Sequence, residues 1–95
     1  MLEISHLSVE YVKIPVTGPV ELSSLTVEMA VLPQGEDPDS GDWETAAWFN
    51  SQASILIGSG TAIGALTKGV TYGIWVRITS LPETPVLGPY DLHIT

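Results

Sequence analysis

A thirteen-residue stretch, Leu66-Thr-Lys-Gly-Val-Thr-Tyr72-Gly-Ile-Trp-Val-Arg-Ile78, limits what this chain can fold into more than any other segment. It opens as a turn at Lys68-Gly69 and continues as the longest unbroken strand signal in the sequence. Val70, Tyr72, Ile74, Val76 and Ile78 share one parity, so an extended backbone places all five on one face. Thr71, Gly73, Trp75, Arg77 and Thr79 take the other. A strand with a complete apolar face needs a second layer to cover it, which requires a sheet or a sandwich.

The remaining segments read as the strands that complete such a sandwich. Glu3 to Val16 alternates imperfectly, with Val9 and Tyr11 on one parity and Val12, Ile14 and Val16 on the other, and Pro15 belongs at an edge or a strand end, so a first strand in two pieces at a sheet edge is expected. Thr26 to Leu32 sets Val27, Met29 and Val31 against Glu28 and Ala30, and Glu28 implies a solvated face or an interface. Gln34 to Gly41 has turn residues and no apolar anchor, and reads as an exposed loop. Trp43 and Trp48 are an odd number apart, so a regular strand would send them to opposite faces, one buried and one half-exposed. Ala53 to Ile57 is a further strand, Thr61 to Leu66 a short one weakened by Gly64, and Tyr90 to Thr95 the last. Pro82, Pro85 and Pro89 give the segment before it the character of a stiff extended loop. About seven short strands at roughly 8–12-residue spacing, with no helical period, predict an all-β sandwich in a single domain spanning residues 1–95.

Leu66-x-x-Gly69-x-x-Tyr72 followed by alternating apolar residues resembles the corner between strands E and F of immunoglobulin-like and fibronectin type III-like domains. The resemblance implies that Leu66 is the last core residue of strand E. It implies that Gly69 adopts a conformation a Cβ disfavours, and that the Tyr72 hydroxyl bonds backbone a few residues upstream. The alternative is a generic hairpin with a tyrosine in its core. Lys68 stands where related turns commonly have proline.

Composition narrows the function. Eleven acidic residues against Lys13, Lys68 and Arg77 give a net charge of −8, which repels phosphate backbones and anionic bilayers. Neither nucleic acid nor membrane is therefore an expected partner. The chain has no cysteine, which removes disulfides and thiolate metal sites. The start, Met1-Leu-Glu-Ile, lacks the basic and apolar regions of a Sec-type signal. His6 and His93 lie near opposite termini and lack the further ligands of a zinc site. Glu36-Asp37-x-Asp39-x-x-Asp42 could offer oxygens to calcium, but it lacks the later bidentate glutamate of an EF-hand and reads as a solvated acidic loop. No metal, cofactor or catalytic residue is expected.

Trp75 and Arg77 are the candidates for contact with a partner. They share the face opposite Ile74 and Val76, and Trp and Arg are enriched at binding hot spots. The intramolecular alternative stacks Arg77 on Trp75 or pairs it with a glutamate of a neighbouring strand. Pro82 and Pro85 lie in the segment expected to run beside this strand and to extend the same surface.

The order of features also resembles a family of small proteins from tailed phages of actinobacteria, whose genes lie among the virion structural genes. The residues that carry the likeness are Glu10-Tyr11-Val12, Val27-Glu-Met-Ala-Val31, Trp43, Trp48 and Ile55-Leu-Ile-Gly58. Tyr72-Gly-Ile-Trp-Val-Arg-Ile-Thr79 and Pro82-Glu-Thr-Pro-Val86 continue it. The resemblance implies a non-enzymatic Ig-like virion component: a capsid decoration, minor capsid or head–tail connector-region protein. Its partners would be the major capsid protein or other virion proteins, with an oligomeric arrangement on the particle left open. The rival reading is a carbohydrate-binding Ig-like accessory module using Trp43, Trp48 or Trp75 as a stacking platform.

Overall fold

The computed structural model describes residues 2–16, 25–79 and 84–95, which form eight β-strands and no helix. The strands are β1 (Leu2–Ile4), β2 (Glu10–Pro15), β3 (Thr26–Pro33), β4 (Glu44–Thr45), β5 (Ala47–Phe49), β6 (Gln52–Ile57), β7 (Thr71–Thr79) and β8 (Val86–Ile94). They build a five-stranded sheet in the order β1-β8-β7-β3-β4 and a three-stranded sheet in the order β2-β6-β5. The pairs are antiparallel except β1 with β8, which run parallel. The protein is a β-sandwich.

The core is the parity pattern of the sequence made physical. From the larger sheet come Val27 and Met29 of β3, Tyr72, Ile74, Val76 and Ile78 of β7, and Leu92 and Ile94 of β8. From the smaller sheet come Val12 and Ile14 of β2, Val16 just beyond it, and Ala53, Ile55 and Ile57 of β6. These residues form one cluster, so the opposed faces bury each other as the alternation requires. Strand β7 has neighbours on both sides, pairing with β3 from Tyr72 to Thr79 and with β8 from Thr71 to Arg77.

The turn before β7 is tied on two sides. The Thr67 N–H donates to the Tyr72 hydroxyl oxygen at 2.9 Å, and Tyr72 itself is buried. Gly69 takes φ +85°, a region that disfavours other residues, and its N–H donates to the Ile94 carbonyl at 2.7 Å. Leu66 packs against the core as expected of the corner, but from a loop: strand β6 ends at Ile57.

Four expectations change. The two pieces of the first strand lie in different sheets, β1 beside β8 and β2 beside β6. Thr61 to Leu66 is not a strand; Gly58, Gly60 and Gly64 all have positive φ, and only a Gly58–Gly64 bridge remains. The segment holding both tryptophans switches sheets at Ala46, from β4 beside β3 to β5 beside β6. Trp43 and Trp48 therefore lie on different layers, both half-buried, with the Trp48 indole N–H donating to the Leu25 carbonyl at 2.9 Å. Finally, Pro89 lies inside β8 and not in a loop. The register shifts between Ile74–Tyr90 and Val76–Leu87, so Gly88 and Pro89 together face Trp75 in a bulge. Strand β1 covers only Leu92 to Ile94, so no ladder on the far side needs a Pro89 N–H.

The bond from Thr67 to Tyr72 is local, partly buried and removable without a change of shape. Tyr72→Phe is expected to lower stability by about 1–2 kcal/mol, since it orphans the Thr67 N–H. Urea denaturation of the two proteins measures this, with an unchanged slope showing that the fold is otherwise kept.

Candidate contact surface on the five-stranded sheet

The outer face of the larger sheet is where the chain concentrates its unusual side chains. Cross-strand register sets the rows: Glu28, Arg77 and Val86 form one row across β3, β7 and β8, and Ala30, Trp75 and the Gly88-Pro89 bulge form the next. Arg77 donates to Glu28 Oε1 from Nε at 3.1 Å and from Nη2 at 2.7 Å. Its guanidinium also lies over the Trp43 ring, 4.5 Å from the centroid. The arginine is thus held between a carboxylate and an aromatic ring, with both members of the ion pair about a quarter exposed (27% and 26%). Planar guanidinium suits both partners at once, which an ammonium would not.

Trp75 is half-buried beside this group. Its ring packs against β8 where glycine leaves room: a Cβ on Gly88 would come 3.5 Å from Trp75 Cε3 and only 2.7 Å from the Ile74 carbonyl oxygen. A Cβ on Gly73 would come 3.0 Å from Pro89 Cβ and 3.7 Å from Trp75 Nε1. Ala30 is fully buried although its parity points outward, so the face over β3 and β7 is covered and not bare. The Trp75 indole N–H is buried and has no acceptor among the described residues.

Of the residues the sequence nominates, the structure brings Trp75 and Arg77 onto one surface, with Val86 alongside and 48% exposed. Pro85 is exposed and joins the end of that sheet through its carbonyl, which accepts from the Ile78 N–H at 3.1 Å. Pro82 lies outside the described residues. Trp43 and Glu28 were the members of the group that spacing alone did not assemble. The signal for Glu28 is its parity, opposite to Val27 and Met29; Trp43 carries none, because its place depends on the turn into β4.

The other polar candidates are locally engaged. His6 Nδ1 lies 2.8 Å from the Thr95 carbonyl oxygen, and His93 Nδ1 lies 3.0 Å from Thr71 Oγ1. In the acidic loop Asp42 Oδ2 accepts from the Asp39 N–H at 2.7 Å, and the Asp42 N–H returns to the Asp39 carbonyl. Among the described residues no three His, Asp or Glu side chains are grouped as a metal site. No family model, curated protein or solved structure matches the chain.

Two expectations follow for this surface. A double-mutant cycle on Glu28→Ala and Arg77→Ala should give a coupling of about 0.5–1 kcal/mol, the scale of a partly exposed pair. Gly88→Ala should destabilise by more than about 1 kcal/mol, because the new Cβ meets the Ile74 carbonyl and φ is +123°. Denaturation midpoints of the purified variants read both.

Proposed function

We propose that the protein is a non-enzymatic structural component of a phage virion that docks onto a protein lattice through the outer face of its five-stranded sheet. The observation that carries this reading is the outward group of Trp75, Arg77, Trp43 and Val86, an aromatic and arginine-bearing surface on a protein of net charge −8. Interfaces draw most of their binding energy from such residues. The sequence resemblance to small virion proteins of actinobacterial phages supports the same class.

The strand order supports an immunoglobulin-like reading of the sandwich. Strands β2, β6 and β5 take the places of B, E and D, while β8, β7, β3 and β4 take those of G, F, C and C′. Tyr72 then stands near the start of F with its hydroxyl bonded to backbone upstream, as a corner tyrosine does. A capsid decoration or connector-region role fits a domain of this kind, because many copies on a lattice turn weak single contacts into avidity. The surface favours protein over glycan: Arg77 covers Trp43, and Trp48 is packed against the core, so neither ring is a bare platform.

The chain is expected to co-sediment with washed particles, and Val86→Glu, which leaves Trp75 and the Arg77 pair in place, is expected to lower its occupancy several-fold. Absence of the chain from washed particles would remove the proposal. Binding to a broad glycan array that is lost on Trp75→Ala would favour the carbohydrate-binding reading instead.

A further inference from the structure

We infer that the free edge of β2 is a self-association site, at which two copies of the chain pair antiparallel about a two-fold axis through Val12. Strand β2 pairs with β6 alone among the described residues, leaving its other side open along Glu10–Pro15. The direction of its backbone groups follows from one bond. The Val16 N–H donates to the Ser51 carbonyl, next in register after Pro15 and Gln52. Ladder bonds alternate along an antiparallel strand, so Ile14, Val12 and Glu10 also face β6. Tyr11 and Lys13 turn their N–H and C=O groups outward, and Pro15, which has no N–H, falls on the same outward side.

The outward set is self-complementary in one register. With Val12 opposite Val12 of the second copy, Tyr11 faces Lys13 and Lys13 faces Tyr11. Both N–H groups and both carbonyls of each copy are then used. A shift one way sets Lys13 against Lys13, which repels, and sets Tyr11 against Pro15, which cannot donate. A shift the other way leaves Lys13 facing Val9, outside the strand. Lys and Pro are residues that keep edges from open-ended pairing. Here they restrict it to a closed pair, and an isologous contact cannot propagate.

The surroundings suit an incoming strand. Grooves of about 430 and 280 Å³ open beside Leu2 along this edge. Their rims carry the exposed apolar side chains of Leu2, Tyr11 and Tyr90. Lys13 is the one cation lining either groove, against Glu3, Glu10 and Asp91. Within each copy the Lys13 ammonium lies over the Phe49 ring, 4.0 Å from its centroid, and pairing sets the Lys13 side chain of one copy beside Tyr11 of the other on the same exposed face. The product is one continuous sheet running β5-β6-β2 and back through the partner in reverse order. This contact is on the smaller sheet and is independent of the outward Trp75 surface.

Sedimentation velocity of the full chain at physiological salt, over the micromolar range, tests it. A concentration-dependent dimer is expected. Lys13→Pro removes an outward N–H without touching the β6 ladder, and should weaken the dimer about tenfold or more. If that variant fails to fold, Tyr11→Lys decides, since it sets like charges opposite each other and should weaken the dimer to a similar extent. Val12→Cys reads the register. Non-hydrogen-bonded partners sit about 4.5 Å apart at Cα, within disulfide reach, and the chain has no other cysteine. A disulfide-linked dimer after mild oxidation is the expected result. A wild-type chain that stays monomeric, a dimer indifferent to both edge variants, or a Val12→Cys chain that does not crosslink would each overturn the inference.

Discussion

Strand β7 is enclosed on three sides and partly covered on the fourth, and the rest of the structure follows from satisfying it. Its inward residues Ile74, Val76 and Ile78 need the second sheet, its backbone needs β3 and β8, and its outward Trp75 and Arg77 need cover of their own. Burying both faces of a strand is a demand usually met by apolar runs. This chain covers the outer side only in part, with the Glu28–Arg77 salt bridge and the Arg77 guanidinium over the Trp43 ring. The Arg77 guanidinium spends its donors on Glu28 and its flat face on Trp43, while the Gly88-Pro89 bulge clears space for Trp75. The same devices leave Trp75, Arg77 and Val86 outward on the face where the proposed contact lies.

Two layers of very different completeness result. The five-stranded sheet is finished, with its edges occupied by the short β1 and β4. Among the described residues the three-stranded sheet ends at β2, a six-residue strand with outward backbone groups. Here the first strand has gone to the other layer, running parallel to β8. With β1 paired in the other layer, no described strand pairs with the second side of β2.

The sequence made the inner face legible because period-two alternation is a local property: Tyr72 to Ile78, Val27 to Met29 and Ala53 to Ile57 all bury the residues their parity selects. The bond from the Thr67 N–H to the Tyr72 hydroxyl was legible for the same reason, its parts lying within seven positions of Leu66. What could not be read were the features set by chain path. Ala46 switches sheets with no breaker residue to announce it, so the fates of Trp43 and Trp48 were misassigned by a single-strand parity. Pro89 signalled a loop because proline is excluded from central ladders, and only the β8 bulge together with the shortness of β1 makes room for it. The partner of Arg77 was open between Trp75 and a glutamate. Register settles it for Glu28, which lies directly across the ladder.

The proposed function places the contact with a virion protein on the outer face of the five-stranded sheet. A photo-crosslinking side chain at position 86 addresses it directly, since Val86 is exposed in the row of Arg77 yet bears none of the packing of Trp75. On assembled particles the expected result is a crosslink from position 86 to a virion protein, with position 49 on the opposite sheet giving none. Crosslinks from position 49 alone, or from neither position on particles that contain the chain, would contradict it.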